Sequence, residues 1–249
     1  MSGAPVRWSI EGSCARISLC RPEVLNALNE ESYIGLSSAI DAIEQNYEVS
    51  VAVIDGSGCR AFSAGADLTF MRGLTGASLR RFIELSWRVG ERIARSSVLT
   101  VARLNGYVLG GGAELALACD MRIANSDTVI GFPEMTYGSV PGSGAAQRLQ
   151  SLIGPARAIE MMAGGRRFSA LEAQAIGLIN TVAHNDADVD AWLAPFMSRP
   201  REATSYMKAA MLLKNEPYAA AVFHGLVSAT RQADAGYRAL TEAFERERG

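Results

Sequence analysis

Asn105-Gly106-Tyr107-Val108-Leu109-Gly110-Gly111-Gly112-Ala113-Glu114 is the stretch on which the fold of this 249-residue chain turns. A predicted strand, Val98 to Leu104, runs into it, and a predicted short helix, Ala113 to Cys119, runs out of it. The glycines therefore fall where a strand becomes a helix. Three in a row leave bare backbone at a helix N-terminus, where free N–H groups and the helix dipole favour negative charge. That geometry can serve an oxyanion hole; close packing of helix on strand is the other reading of the same glycines. Glu114 opens a helix whose other residues, Ala113 and Leu115 to Ala118, are apolar. Burial raises the pKa of such a carboxyl while the helix N-terminus opposes the rise. The residue reads either as a tunable acid/base group or as a terminal carboxylate bonded to backbone donors.

Outward from this point the chain repeats a pattern. Upstream, Val6 to Ile10 and Ala15 to Leu19 alternate apolar and polar residues around Glu11-Gly12, as a hairpin of half-buried strands does. Asn29 caps a predicted helix with Tyr33, Leu36, Ile40 and Ile43 at helical spacing. Val49 to Ile54 is a buried-strand pattern ending at Asp55-Gly56-Ser57-Gly58, and Leu79 to Ser96 is helical in period. Downstream, Met121 to Ala124 and Val129 to Ile130 read as short strands, followed by Gly- and Pro-rich sequence to Gly144. Beyond Gln147 the pattern is helical: Arg148 to Met162, Ala170 to Ala175, Ala187 to Met197, Pro200 to Leu213 and Pro217 to Arg248. Strand-strand-helix units in series predict an α/β architecture whose loops share a cleft, here with a helical C-terminal subdomain.

Two further loops carry candidate chemistry. Ala61-Phe62-Ser63-Ala64-Gly65-Ala66-Asp67 lies one residue from a G-x-S-x-G nucleophile elbow, but the chain has only His184 and His224, both far along the helical part, to serve as a base. Its small residues instead let backbone N–H groups approach a ligand. Phe132-Pro133-Glu134 sets a second carboxylate beside apolar residues. Two small-residue loops and two glutamates together supply what acid/base chemistry on an activated carbonyl needs: backbone donors for an enolate and two proton-handling groups. Gly142-Ser143-Gly144 lacks the third glycine of a dinucleotide fingerprint and follows Pro141 in place of a strand.

Composition narrows the classes. Lys plus Arg number 24 against 26 Asp plus Glu, a net charge of −2, with lysine only at positions 208 and 214. Such a chain has no basic stripe for nucleic acid and no polybasic segment for an anionic membrane. Its most apolar window, Leu104 to Cys119, contains Asn105, Glu114 and several glycines, too polar for a membrane span. Cys14, Cys20, Cys59 and Cys119 form no C-x-x-C pair, so no metal site is expected, and they read as small core residues in a reducing compartment. The first twelve residues show neither an apolar signal core nor an Arg/Ser-rich amphipathic pattern, which predicts a cytoplasmic protein.

The ordered set of motifs resembles the crotonase (enoyl-CoA hydratase/isomerase) superfamily. It comprises Arg21-Pro22, Leu25 to Asn29, Ala61 to Leu68, Asn105-Gly106, Gly110 to Ala116, Cys119-Asp120, Pro133-Glu134, Pro141-Gly142, Gln147 to Leu149, Gly154, Glu172-Ala173 and Gly177-Leu178. The resemblance implies a crotonase-like ββα spiral core over residues 1–182 and a helical C-terminal trimerisation region over 183–249. It also implies a homotrimer or homohexamer, an acyl-CoA substrate in fatty acid metabolism, and no cofactor beyond the CoA of the substrate itself.

By the same resemblance the thioester oxygen is held by the N–H groups of Ala66 and Gly111. Glu114 would deprotonate a water, Glu134 would protonate the α-carbon, and the Gly142 N–H would hold the water. Ala64, Asp67, Leu68, Phe70, Met71 and Tyr137 would surround the substrate, with Leu74, Phe82 and Trp87 as further candidates for the acyl tail or for the core. Hydration of a 2,3-unsaturated acyl-CoA to the 3-hydroxyacyl-CoA is the activity implied. Double-bond isomerisation, carnitinyl-CoA type dehydration and thioester hydrolysis are the rivals on the same scaffold, and a noncatalytic or RNA-binding homologue is the rival of another class. Ala145 departs from the family's usual Pro-Gly-x-Gly-Gly run, and Thr69 and Tyr137 depart from its pattern near the acyl pocket.

Overall fold

The computed structural model describes residues 3–213 and 216–248, so Lys214 lies outside the described residues. The chain divides into two compact units, Met1–Arg201 and Glu202–Gly249.

The first unit begins with a hairpin. β1 (Val6–Glu11) pairs antiparallel with β2 (Cys14–Leu19) in the register Val6↔Leu19 and Glu11↔Cys14. Gly12 makes the turn at φ +58, and alternation buries Ala15, Ile17 and Leu19. After a 3-10 turn over Pro22–Val24 comes α1 (Glu30–Gln45), closed by a capping box between Asn29 and Ser32 and burying Tyr33, Leu36, Ile40 and Ile43.

Three successive turns of chain then repeat one theme: a strand in a large sheet, a strand in a small sheet, and a helix. The first is β3 (Val51–Gly56), β4 (Ala61–Ser63), α2 (Leu68–Arg72) and α3 (Gly76–Ala94). The second is β5 (Leu99–Leu104), β6 (Tyr107–Leu109) and α4 (Gly111–Ala118). The third is β7 (Met121–Asn125), β8 (Val129–Gly131), a 3-10 turn over Glu134–Tyr137, and α5 (Ala145–Ile153). α6 (Pro155–Gly164), β9 (Arg167–Ser169), α7 (Ala170–Ala175), β10 (Thr181–Ala183) and α8 (Asp186–Met197) complete it. The large sheet runs β1-β2-β3-β5-β7-β10, parallel from β2 onward, and the small one runs β4-β6-β8-β9. This is the ββα spiral that the sequence predicts.

Strand alternation sorts the large sheet's two faces. Ala52, Ile54, Ala102 and Leu104 join the main core with Phe62, Ile130 and Phe132, whereas Val51, Val53, Leu99, Val101 and Ile123 form a second cluster. That second cluster is covered by Val189 and Leu193 of α8. α8 thus packs on the sheet's outer face within the first compact unit, which runs to Arg201.

Several expected elements differ in extent. β4 and β6 are three residues each, too short to show a period, and lie inside stretches that read as loops. Helix Arg148 to Met162 is two helices, α5 and α6, divided at Gly154 (φ 82), where Pro155 opens the second. In the second unit α9 (Arg201–Leu212) is followed by α10 (Pro217–Ala233) and α11 (Ala235–Arg248), since Asp234 is extended and breaks the expected single helix. Of the four cysteines only Cys119 is buried, and Cys59 is exposed, so the core reading fails there.

One buried polar knot ties the segment before α1 to β4. Asn26, 1% exposed and at φ 54, donates from Nδ2 to Ser57 O (3.0 Å) and Ala61 O (2.8 Å) and accepts from Arg21 N (2.9 Å). Its own carbonyl accepts from Ser63 Oγ at 2.8 Å, which makes Ser63 a tether and not a nucleophile. Asn26→Ala leaves three partners without their bonds, the Ala61 carbonyl fully buried, and keeps the left-handed backbone, so it should cost about 2–4 kcal/mol. Denaturant unfolding of the variant against the wild type measures the loss.

Candidate active site

The site forms where the chain leaves β4 and β6. Gly65 has φ +101, and a Cβ there would stand 2.7 Å from Leu109 O and 3.2 Å from Gly111 N, so only glycine lets the two exits approach. Flanking it, Leu28 N donates to Gly65 O (2.8 Å) and Asp67 N to Leu28 O (2.9 Å). Between these bonds the Ala66 N–H is left over. Across from it Gly110 (φ 50) precedes α4, bonding through its N–H to Gly131 O (3.0 Å), which turns the next N–H, that of Gly111, to the helix's open end. A Cβ on Gly111 would be 3.4 Å from Ala66 N, so the two donors are neighbours. Among the described residues neither has an acceptor.

Both glutamates reach the same cavity, of about 170 Å³. Glu114 lies one turn into α4 and is 3% exposed; its Oε1 accepts from Ser143 N (2.6 Å) and Ala145 N (3.1 Å). Burial raises its pKa, against which those N–H groups and the charge of Arg148 pull down. Glu134 begins the 3-10 turn and is 7% exposed, and its buried Oε2 has no partner among the described residues. Burial, reinforced by the nearby Glu114 charge, pushes its pKa up to about 7. The two carboxyls thus differ in kind: Glu114 has donors for its ionised form, and Glu134 is poised to carry a proton near neutrality.

Ala64, Leu68, Met71, Tyr137 and Gly142 also line the cavity, as does Phe82. Asp67 and Phe70 do not. Asp67 caps α2 through Thr69 N and Phe70 N and pairs with Arg21 at 2.9 Å, and Phe70 packs edge-on against Phe82 at 5.3 Å, behind the wall. Leu74 and Trp87 also stand back from it; the Trp87 ring lies under the Arg148 guanidinium at 5.5 Å. Arg148 fixes the Gly142–Ala145 loop, donating to Ser143 O (2.8 Å) and pairing with Glu91 (2.6 Å). Tyr33 on α1, Ser86 on α3 and Ser143 line the site without having stood out in the sequence. Tyr33 falls on the buried stripe of its helix, where a cavity wall and a core position have the same spacing.

A ββα spiral thus sets two backbone donors and two buried glutamates on one cavity. The chain belongs to the enoyl-CoA hydratase/isomerase family, whose family model matches residues 9–233. It is 38% identical over 172 residues to a crotonyl-CoA hydratase of Syntrophomonas wolfei and 37% identical over 172 residues to a short-chain-enoyl-CoA hydratase of Clostridium acetobutylicum. Each match takes in 69% of this chain and 66% of the relative, just under two thirds of the relative's length. Among solved structures, an enoyl-CoA hydratase from Thermoplasma volcanium superposes with a TM-score of 0.90 at 31% identity, over 96% of this chain and 97% of that one.

Two expectations follow from the geometry. A Cβ at Gly110 would come 2.8 Å from Glu134 Oε1 on a backbone that disfavours side chains, so Gly110→Ala should displace the Glu134 carboxyl. The ¹³C titration shift of the Glu134 carboxyl, compared between wild type and variant, reads that displacement. Glu134 also has a folded-state pKa raised above its unfolded value, so its contribution to stability is full below about pH 4.5 and is lost as pH rises through about 7. Glu134→Gln should accordingly lose less stability than the wild type between pH 5 and 8, as denaturant midpoints across that range will show.

Proposed function

We propose that the protein adds water reversibly to a short 2,3-unsaturated acyl-CoA, giving the 3-hydroxyacyl-CoA. The observation that carries this is the unequal pair of buried glutamates opposite two unpaired N–H groups on one small cavity. Water attacks an alkene poorly, but conjugation to a thioester lets negative charge collect on the thioester oxygen. The N–H groups of Ala66 and Gly111 form the oxyanion hole for that charge; one such donor is worth about 3–4 kcal/mol in comparable chemistry. Glu114, whose carboxyl accepts from the Ser143 and Ala145 N–H groups, takes the proton of the water adding at the β-carbon. Glu134, protonated near neutrality, delivers a proton to the α-carbon, and the Gly142 N–H helps hold the water. The steps are proton transfers and one C–O bond formation, so the reading needs no cofactor beyond the CoA of the substrate.

Two features support a short acyl group. The cavity is well below the roughly 300–1,000 Å³ of a drug-sized ligand site, and it is walled by Phe82 and Met71. Relatives named for crotonyl-CoA and for short-chain enoyl-CoA agree in size. Ala64, Leu68, Met71 and Tyr137 contact the acyl thioester in this reading, with Asp67 and Phe70 supporting them from behind. Assembly as a trimer or hexamer is supported by the apolar side chains the second unit leaves exposed, among them Met211, Tyr218 and Leu226. Four free cysteines fit a reducing cytoplasmic setting, and hydration of an enoyl-CoA fits a role in fatty acid metabolism.

Glu114→Gln and Glu134→Gln should each lower turnover of crotonyl-CoA by roughly 10²–10⁴-fold, followed as loss of the conjugated thioester absorbance. Affinity for a saturated CoA ester should stay within a few-fold of wild type. Wild-type turnover in either variant would remove the two-glutamate mechanism.

A further inference from the structure

The Ala66 N–H is the far end of a chain of hydrogen bonds that begins at a charged side chain. Arg21 Nη1 donates to Ala27 O at 2.6 Å. Ala27 O and the Leu28 N–H are the two ends of one peptide group, and Leu28 N donates to Gly65 O at 2.8 Å. Gly65 O and the Ala66 N–H are likewise the two ends of the next. Both peptide bonds are trans, so in each group the N–H points opposite to the C=O. The Arg21 charge therefore stands behind two peptide groups aligned head to tail, and the second turns its N–H away from Leu28, on the side where Ala66 lines the cavity beside Gly111.

The guanidinium is fixed at its other nitrogen as well. Arg21 Nη2 pairs with Asp67 Oδ2 at 2.9 Å, while Asp67 Oδ1 accepts from Thr69 N (3.1 Å) and Phe70 N (3.0 Å) at the start of α2. Asp67 offsets part of the Arg21 charge, but its carboxylate bonds to neither of the two peptide groups. A guanidinium donating to a carbonyl draws electron density toward that oxygen, which makes the N–H at the other end of the same peptide group a stronger donor, and the effect passes along the chain. The opposite donor is supported differently. Its peptide carbonyl, Gly110 O, accepts from Glu114 N at 2.9 Å, so the Gly111 N–H has the dipole of α4 behind it and no charged side chain bonded to its peptide group.

We infer that Arg21 is a positioning residue for the oxyanion hole: it aims the Ala66 N–H by holding the Ala27–Leu28 peptide group, and it strengthens that N–H as a donor through the two peptide groups between them. The inference rests on Ala66 as a donor to the thioester oxygen in the proposed reaction. Arg21 does not line the cavity, so its influence on the substrate passes through the backbone alone. Leu28 and Ala66 are joined as a parallel bridge, closed on its other side by Asp67 N donating to Leu28 O at 2.9 Å, which keeps the two peptide groups in line.

Arg21→Met and Arg21→Gln both remove the charge, the second keeping a neutral donor. In each, the Ala66 amide proton of the free protein should resonate upfield of its wild-type position while that of Gly111 stays in place. The thioester carbonyl of butyryl-CoA, labelled there with ¹³C, should move downfield on binding by less than it does in the wild type. Losing part of the strength of a donor worth roughly 10²–10³-fold in kcat should slow crotonyl-CoA turnover by about 3- to 10-fold, with KM within about twofold. Arg21→Lys keeps the charge and should restore most of each signal. If Arg21→Met does not fold, Arg21→Gln carries the test alone. A wild-type protein that hydrates no crotonyl-CoA removes the hydratase reading, and the Ala66 resonance still decides the inference, because it is read without substrate. An Ala66 resonance that stays in place in the neutral variants, a Gly111 resonance that moves as far, or an Arg21→Lys variant that restores nothing would overturn it.

Discussion

Everything at the site depends on how closely two pieces of backbone approach each other. Gly65, leaving β4, lies against Leu109 and Gly111, leaving β6, so closely that a Cβ would stand 2.7 Å from Leu109 O. That approach is what sets the Ala66 and Gly111 N–H groups side by side with their hydrogen-bonding capacity unspent. The spiral makes it inevitable: each turn adds one strand to the large sheet and one to the small, so the exits of neighbouring small-sheet strands come out adjacent. The small sheet's job is therefore register. It holds two donors in place, as the proposed oxyanion hole requires.

The second requirement is that two carboxyls of one type behave differently within one cavity. Burial raises both, and what separates them is hydrogen bonding. Glu114 has the N–H groups of Ser143 and Ala145, held in turn by Arg148 and its partner Glu91. Glu134 Oε2 has no partner among the described residues and sits within the field of Glu114. An unsatisfied buried carboxyl is costly in an ordinary core. Stability is given up at the position to which the proposed reaction assigns a proton donor.

Much of this was legible in the sequence, for identifiable reasons. Glycine runs at a strand-to-helix boundary and a carboxylate in an otherwise apolar helix are local signals, and both led to the donors and to Glu114. Glu134 gained meaning only beside them, and the ordered motifs supplied the spiral. What could not be read was whatever depends on distance across the fold. β4 and β6 are too short for a period. Tyr33 and Ser86 occupy positions whose helical spacing is that of a core residue. Asp67 and Phe70 adjoin the cavity in sequence, yet an N-cap bond and an edge-on ring contact turn them to support its wall.

The most direct measurement is the fate of solvent atoms when crotonyl-CoA is converted in ¹⁸O-labelled D₂O. Two glutamates working across a backbone oxyanion hole predict one solvent oxygen at C3 and one solvent deuterium at C2 of the product, with the thioester intact. Deuterium entering the acyl chain without ¹⁸O at C3, or ¹⁸O appearing in a released carboxylate, would contradict the account.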